Sequence, residues 1–186
     1  MRLTKPRIAP LTDAEMSDEQ KEVLQPFGPR ILNIFRTLAR APKALDRFNQ
    51  WGSYVLSRRN DLAPREREIV ILRTGFLCKS GYEWTQHVAI GKREGLTDDE
   101  IVRIKQGAGA GWSAADAALI RAADELHADQ FVTDATWNAL TAHFTQKQCM
   151  DVVFTAAQYT QVSMLLNSFG VQLEEGTPLD PDLKGF

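Results

Sequence analysis

A glutamate and a histidine stand at matched distances on either side of a short break in the chain. Glu68 and His87 flank this break, and their midpoint falls between positions 77 and 78. Apolar segments with helical spacing run into the break from both sides, and Gly75 and Gly81 bracket it. If the two segments fold back as an antiparallel hairpin, residues equidistant from the turn lie level with each other. The spacing therefore predicts a carboxylate facing an imidazole, which is how a histidine is oriented for proton transfer.

Two further polar residues fall on the same predicted helix as the histidine. Ser80, Glu83 and His87 are spaced i, i+3, i+7, which places all three on one face of that helix. Together with Glu68 they offer two carboxylates, one imidazole and one hydroxyl, and general acid–base catalysis needs little more. We therefore take His87, Glu68 and Glu83 as candidate catalytic residues and Ser80 as a candidate substrate contact.

Each of these residues also has a purely structural interpretation. Ser80 and Glu83 match the Ser-x-x-Glu pattern of a helix capping box, a role that does not exclude chemistry. Glu68 could be one charge of an exposed first helical turn, although a carboxylate that leads directly into apolar residues 69–72 needs a partner. His87 could be a core histidine with its hydrogen bonds satisfied. The sequence leaves these alternatives open.

The remaining candidates are possible substrate contacts and the two thiols. Arg73 could hold a substrate carboxylate, although an ion pair with a neighbouring Glu is the stronger expectation. We place Cys78 at or near a helix N-terminus, where a thiolate is favoured, yet a buried and inert thiol is the better interpretation for it and for Cys149. Three aromatic side chains could line a pocket, although aromatic residues at helical spacing more often belong to the core: Tyr82, Trp84 and Tyr159.

Length and composition indicate an ordinary globular protein. The chain has 186 residues, of which 44% are hydrophobic and 25% charged, and its formal net charge is −2. It has no basic stripe, so we expect no nucleic-acid partner, and no apolar run approaches membrane-spanning length. The first residues are too polar for a secretory signal, which favours a cytoplasmic location with free thiols.

Helical periodicity and capping signals place all of these motifs on helices. No segment alternates convincingly with a period of two, so the fold is predicted to be all-α. Capping boxes at Ser17 and Thr97, a cap at Thr133 and a stop at Gly170 mark helix ends. The main predicted helices cover 42–58, 64–76, 80–94, 97–105, 113–128, 133–140 and 145–169.

The pattern also suggests how the chain is divided and how it associates. Residues 1–29 are predicted to form an arm with weak structure at first and then a short helix, and residues 30–173 a helical domain. The tail, 174–186, is expected to lie over the surface or to reach a neighbour. Helices 42–58 and 145–169 are apolar on more than one side, and a helix with such wide apolar cover needs two partners. We therefore predict a homo-oligomer with pockets at or near the subunit contacts.

The motifs resemble those of the carboxymuconolactone decarboxylase family. The pattern Glu68 … Ser80-x-x-Glu83-x-x-x-His87, followed by Gly95-Leu-Thr-Asp-Asp-Glu100, carries the resemblance, and the closing Leu166-Asn-Ser-Phe-Gly170 agrees with it. The resemblance covers residues 30–175. It implies an all-helical bundle of the kind found in alkylhydroperoxidase-D-like (AhpD-like) proteins, assembled as a trimer or hexamer.

The family that the chain resembles has two branches with different chemistry. In the redox branch the motif reads Glu … Cys-x-x-Cys-x-x-x-His, and the carboxylate and histidine relay protons to the paired thiols. By resemblance the relay corresponds to Glu68 and His87, whereas the two cysteine positions hold Ser80 and Glu83. A dithiol peroxidase needs a thiolate nucleophile and a resolving thiol, which these residues do not supply. The run Glu83-Trp-Thr-Gln-His87 is more similar to the decarboxylase branch.

The resemblance therefore implies a cofactor-independent lyase that decarboxylates a small carboxylated lactone or a related catabolic acid. His87 would be the principal acid or base, Glu68 would orient it, and Glu83 would carry a second proton or repel the leaving carboxylate. No metal is expected, because the ligand set lacks a second histidine. Two alternatives stay open: a thiol peroxidase that uses Cys78, and a non-catalytic oligomer that binds a small ligand.

Overall fold

All regular secondary structure is helical in residues 1–185, the part of the chain that the computed structural model describes. The all-α prediction is therefore confirmed. Short 3-10 turns cover Asp13–Glu15, Gln25–Phe27 and Pro181–Leu183. The α-helices are α1 (Asp18–Leu24), α2 (Asn33–Leu38), α3 (Pro42–Leu56), α4 (Pro64–Leu77), α5 (Gly81–Arg93), α6 (Asp98–Gln106), α7 (Ala114–Asp129), α8 (Asp134–Thr141) and α9 (Gln146–Phe169).

The helix ends follow the local signals in the sequence. The side chains of Ser17 and Thr97 accept hydrogen bonds from the amide three residues on and complete capping boxes for α1 and α6. Thr133 caps α8 in the same manner, without the reciprocal contact. Gly170, with φ 68°, takes the left-handed conformation that ends α9. These four predictions are confirmed because capping depends only on neighbours in sequence.

Helix α4 lies at the centre of the molecule. It packs against α5, α7 and α9, and every side chain from Arg67 to Gly75 is buried. Its apolar run is continuous around the helix, which is typical of a helix covered on all sides. Gly91 lets α5 approach closely, because a Cβ there would lie 3.3 Å from the Leu72 Cδ1 atom of α4. This close contact helps to fix the register of α5 along α4.

The turn between α4 and α5 is short and tightly bonded. Cys78 caps the C-terminal end of α4, and Lys79 takes the left-handed conformation with φ 55°. The Ser80 amide then donates to the Gly75 carbonyl at 2.9 Å and starts α5. The chain therefore reverses direction at the predicted break, and α5 returns along α4.

The N-terminal arm is packed against the rest of the chain, so the expectation of weak structure over residues 1–16 is wrong. The amides of Arg7 and Ile8 donate to the Phe169 carbonyl at 2.9 and 3.1 Å. Leu11 is 4% exposed and joins an apolar cluster with residues of α1 and α3. The prolines keep this segment out of an α-helix, and burial of apolar side chains holds it against the rest of the chain.

The described part of the tail, residues 174–185, packs on its own chain. Leu183 is 1% exposed within the main core, and Asp180 accepts a hydrogen bond from the Trp84 indole at 2.9 Å. Phe186, the end of the predicted tail, lies outside the described residues. The division into arm, domain and tail stays a prediction. No helix within residues 1–185 combines the length and the apolar character that crossing a membrane requires.

Candidate active site

The structure brings Glu68 and His87 together across α4 and α5. The Nδ1 atom of His87 lies 2.9 Å from Oε2 of Glu68, and the two residues are 8% and 1% exposed. When Glu68 is ionised, Nδ1 carries the proton and donates to it, so Nε2 becomes the basic nitrogen of the ring. Tyr159 of α9 packs its ring edge-on against the imidazole, with the centroids 4.8 Å apart. The imidazole is thus held by a carboxylate on one side and by an aromatic ring on another.

Glu83 lies one helical turn before His87 and is a buried acid. Both of its carboxyl oxygens are buried and have no hydrogen-bond partner in the protein. Burial, and then the charge of Glu68, raise the pKa of Glu83 well above its ordinary value. The raised pKa favours the protonated carboxyl group, which is the form that can act as a proton donor.

The capping-box interpretation of Ser80 and Glu83 is wrong. The Ser80 side chain makes no cap hydrogen bond to α5, and its hydroxyl is buried without a partner. The Glu83 carboxyl group instead turns inwards over Gly75, where a Cβ atom would overlap its Oε2 atom. The absence of a side chain at Gly75 leaves this space, so packing between helices decides the orientation of Glu83.

A cavity of about 380 Å³ opens beside these residues between α2, α3, α5 and α9. Glu83, His87 and Tyr159 line it, whereas Glu68 lies behind His87 and does not. Most of the wall is apolar and includes Leu32, Ile34, Phe35, Phe48, Leu56, Val162 and Leu166. A larger groove of about 840 Å³ lies between α1 and α3, but its charged side chains are exposed and none belongs to the predicted site.

Tyr82 connects the cavity wall to the C-terminal tail. Its hydroxyl donates to Oε1 of Glu174 at 2.6 Å and accepts from the Ile34 amide at 3.4 Å. Burial, and then this carboxylate, raise the pKa of Tyr82, so the phenol stays neutral. Gln86 donates to the other oxygen of Glu174 at 2.5 Å. Tyr82, which we predicted to contact the substrate, lines the cavity.

The structure does not place Arg73 or Trp84 at the cavity. Arg73 pairs with Asp124, with Nε 2.5 Å from Oδ1, and also donates to the carbonyls of Ile104 and Lys105. Its partner is thus an aspartate of α7 and not a neighbouring Glu. Five residues of helix turn through about 140°, so Arg73 leaves α4 in a different direction from Glu68. The Trp84 ring belongs to the core, and Ser80 does not line the cavity either.

Cys78 lies at the C-terminal end of α4, so its predicted position near a helix N-terminus is wrong. Its Sγ atom is 3.6 Å from Nδ1 of His127, and burial raises the pKa of the Cys78 thiol. The C-terminal end of a helix also disfavours a thiolate. Cys149 is fully buried on α9, and burial raises its pKa as well. Both cysteines are free thiols, and neither lines the cavity.

Several cavity residues were not predicted as site residues. Asn49 comes from α3 and Gln86 from α5, while Phe27, Phe35 and Phe48 contribute aromatic walls from the first third of the chain. No local motif marks them, because they reach the site only through packing between distant segments. One feature of the sequence could have indicated Gln86 as a site residue, because it directly precedes His87. No cluster of three or more His, Cys, Asp or Glu within residues 1–185 could hold a metal ion.

Comparison with solved structures shows the fold. A peroxidase-related protein with an AhpD core from Ralstonia eutropha JMP134 has a TM-score of 0.76 and 20% identity, covering 90% of this chain and 93% of its own. A peroxidase-related protein from Silicibacter sp. TM1040 has a TM-score of 0.76 at 14% identity, covering 94% and 97%. The debrominase Bmp8 in complex with 2,3,4-tribromopyrrole has a TM-score of 0.73 at 11% identity, covering 92% and 94%. At such low identities the likeness concerns the fold alone.

Comparison by sequence finds a family match over one segment of the chain. No curated protein matches the chain. Residues 42–125 match the carboxymuconolactone decarboxylase family, and this segment runs from the start of α3 into α7. It contains Glu83 and His87, which line the cavity, and Glu68, which lies behind His87. Residues 42–125 are thus similar to the carboxymuconolactone decarboxylase family, and the fold of the chain is that of the AhpD-like helical proteins.

Proposed function

We propose that this chain is a cofactor-independent enzyme that moves protons on a small molecule bound in the cavity. The observation that carries the proposal is the Glu68–His87 pair beside a second, uncharged carboxyl group, with His87 and Glu83 on the same cavity wall. An enzyme that transfers protons needs a base and an acid in different protonation states, and two such groups in different environments supply them.

Each residue has a separate role in this proposal. Glu68 holds Nδ1 of His87, so Nε2 is left to take a proton from the substrate or to return one. Glu83 donates a proton from the same wall, four residues earlier on α5. The apolar walls exclude water, which strengthens hydrogen bonds to charge that develops during the reaction.

The finer proposal is a lyase reaction, the decarboxylation of a small carboxylated lactone or a related catabolic acid, which the match of residues 42–125 to the family supports. The bond between the carboxylate carbon and the neighbouring substrate carbon breaks, and CO2 leaves. The electron pair stays on the substrate carbon, where a conjugated carbonyl group delocalises it. A proton from Glu83 or from protonated His87 then completes the product. The apolar cavity favours this step, because CO2 is neutral and the starting carboxylate is charged.

Proton exchange in heavy water tests the proposal without knowledge of the natural substrate. Small lactones and carboxylic acids are incubated with the protein in D2O, and NMR follows deuterium incorporation and loss of CO2. We expect His87→Gln to lower the rate by about 100-fold or more. His143→Gln, a histidine outside the cavity, is the matched control and should react like the unchanged protein. Full activity in His87→Gln would refute the proposal.

A thiol peroxidase that uses Cys78 is the second candidate, and the contact between Cys78 and His127 favours it. In such a reaction the thiolate attacks the O–O bond of a hydroperoxide, which yields a sulfenic acid and an alcohol. The raised pKa of the thiol argues for slow reaction. Thiol titration before and after peroxide decides between the candidates, since an unchanged thiol content in the intact protein removes this one.

A further inference from the structure

The cavity wall that holds Glu83 and His87 contains no Lys or Arg side chain. We propose that the substrate has an uncharged, apolar body and a single polar group, a carbonyl or a carboxyl, directed at these two residues. The inference rests on the proposed function, because it concerns the same site. It narrows the substrate class by excluding compounds with a second charged group.

The charges around the cavity support this inference. Among the residues that line it, the only side chains with an acidic or basic group beyond the tyrosines are Glu83 and His87, and no Lys or Arg is present. Behind the wall stand two further carboxylates, Glu68 and Glu174. A second carboxylate on a ligand would therefore be buried without a counter-ion and close to groups of its own sign.

One cation lies near the site, but it does not face the cavity. Arg67 precedes Glu68 on α4, and its Nη1 atom donates to the Ser57 carbonyl at 3.1 Å. Burial, and then the charge of Glu68, raise the pKa of Tyr159, and the charge of Arg67 lowers it. The guanidinium group thus lies behind the wall and does not line the cavity.

The polar groups that lack partners converge on one part of the wall. The Glu83 oxygens and the amide oxygen of Gln158 are buried without a hydrogen-bond partner, and both residues line the cavity beside His87. Buried polar atoms without partners are rare in proteins, and here they are arranged to meet one polar group of a ligand. The rest of the wall is mostly apolar, with residues such as Leu32, Phe35 and Phe48, and its further polar side chains, among them Asn49 and Ser53 of α3, carry no charge. A ligand with an apolar body and one polar group directed at Glu83 and His87 therefore matches the cavity.

Three ligands of similar shape test the inference by binding alone. Isothermal titration calorimetry is carried out with phenylacetamide, which is uncharged, phenylacetate, which has one carboxylate, and homophthalate, which has two. We expect the first two to bind and the second carboxylate to weaken binding by at least about 100-fold. Homophthalate binding as tightly as phenylacetate would overturn the inference, and so would failure of all three to bind.

A variant that adds a cation makes the same test in reverse. Ile90 lies on α5 one turn after His87 and lines the cavity, so Ile90→Arg places a positive charge on the wall. We expect Ile90→Arg to strengthen homophthalate binding by about tenfold or more relative to phenylacetamide. Val102→Arg adds the same charge at an exposed site on α6 and should change nothing. An equal effect in both variants, or no effect in folded Ile90→Arg, would overturn the inference.

A replacement variant and the independence of binding from catalysis complete the test. If Ile90→Arg fails to fold, Ser53→Lys places a cation at an exposed part of the cavity lining and replaces it. The calorimetry is also independent of catalysis. Binding of the uncharged ligand without proton exchange on any substrate would uphold the inference and refute the proposed function. Proton exchange on a tightly bound dianion would do the opposite.

Discussion

At the scale of single residues, Glu83 combines an unfavourable position for stability with a useful one for chemistry. Its carboxyl group is buried without a partner, so the folded protein raises its pKa and favours the protonated form. The ordinary pKa of a glutamate is 4.5, and the unfolded chain releases this proton near that value. Above that pH, folding must therefore retain a proton that the unfolded chain has lost.

The sign of the resulting pH dependence follows from this difference. The full stability contribution is present below pH 4.5 and declines as pH rises towards the raised pKa of the folded state. The decline is at most about 1.4 kcal/mol per pH unit. Glu83→Gln keeps the shape but has no proton to retain. We expect it to become increasingly more stable than the unchanged protein as pH rises above 4.5.

Urea unfolding at several pH values measures this effect. The free energy of unfolding of Glu83→Gln minus that of the unchanged protein should increase with pH. Glu94→Gln is the matched control, because Glu94 is exposed near the end of the same helix, and its difference should stay flat. A flat difference for Glu83→Gln as well would show that this carboxyl group is already ionised in the folded protein.

At the scale of helices, glycines determine how closely α4 and α5 approach. Gly91 admits the side chains of Leu72 and Leu96, and Gly75 admits the carboxyl group of Glu83. Both glycines lie inside helices, where alanine would ordinarily favour the helix by up to about 1 kcal/mol. These glycines leave space for side chains of neighbouring segments. Replacing either one by alanine should therefore lower the free energy of unfolding and not raise it.

Gly75→Ala should therefore destabilise the protein. The new methyl group overlaps the Glu83 carboxyl group, which must move, and overpacking of this kind costs about 1–3 kcal/mol. Gly52→Ala on α3 is the matched control, since its Cβ would meet only Nε2 of Gln158 at an ordinary 3.6 Å. Chemical unfolding should show a loss of stability for Gly75→Ala and no loss for Gly52→Ala. The reverse order would contradict the packing described for α4 and α5.

At the scale of the whole molecule, the tail supports the cavity from outside. Glu174 accepts hydrogen bonds from Tyr82, from Gln86 and from the Asn33 amide, and so connects the tail with α5 and α2. The donors come from two segments that are far apart in sequence, α5 and the start of α2. The tail therefore holds Tyr82 and Gln86 of the cavity wall from behind, although it does not line the cavity.

Removal of this carboxylate should loosen the wall. We expect Glu174→Ala to lower the free energy of unfolding by about 1–3 kcal/mol, because Tyr82 and Gln86 lose their partner inside the protein. Ligands of the cavity should bind more weakly in the same variant. Glu175→Ala is the control, because Glu175 is the next residue and is exposed. Equal behaviour of the two variants in unfolding and calorimetry would refute the supporting role of the tail.

Association of several copies is a further expectation at this scale. Trp51 and Leu56 on α3 are 40% and 47% exposed, and Met150 and Met164 on α9 are 44% and 62% exposed. These are the two helices whose wide apolar cover led us to propose a homo-oligomer. Light scattering should give a mass of three or more chains, and Trp51→Lys should lower it. A stable monomer of the unchanged protein would refute the proposal.

Local patterns in the sequence were sufficient for the helices and for one pair of site residues. Helix caps at Ser17 and Thr97 depend on atoms three residues away, and helical spacing depends on the pitch of the backbone. The pairing of Glu68 with His87 follows from the same local geometry, because a tight turn joins two regular helices. Interactions of this kind depend only on residues that are close together in the sequence.

Tertiary structure alone decided the rest of the site. The inward turn of Glu83, the ion pair of Arg73 with Asp124 and the aromatic walls of the cavity all arise between segments that are distant in the chain. The position of the turn also decided the environment of Cys78, because Cys78 ends α4 and the cap of α5 comes only two residues later, at Ser80. Burial and protonation depend on which surfaces finally meet, and no local pattern records that.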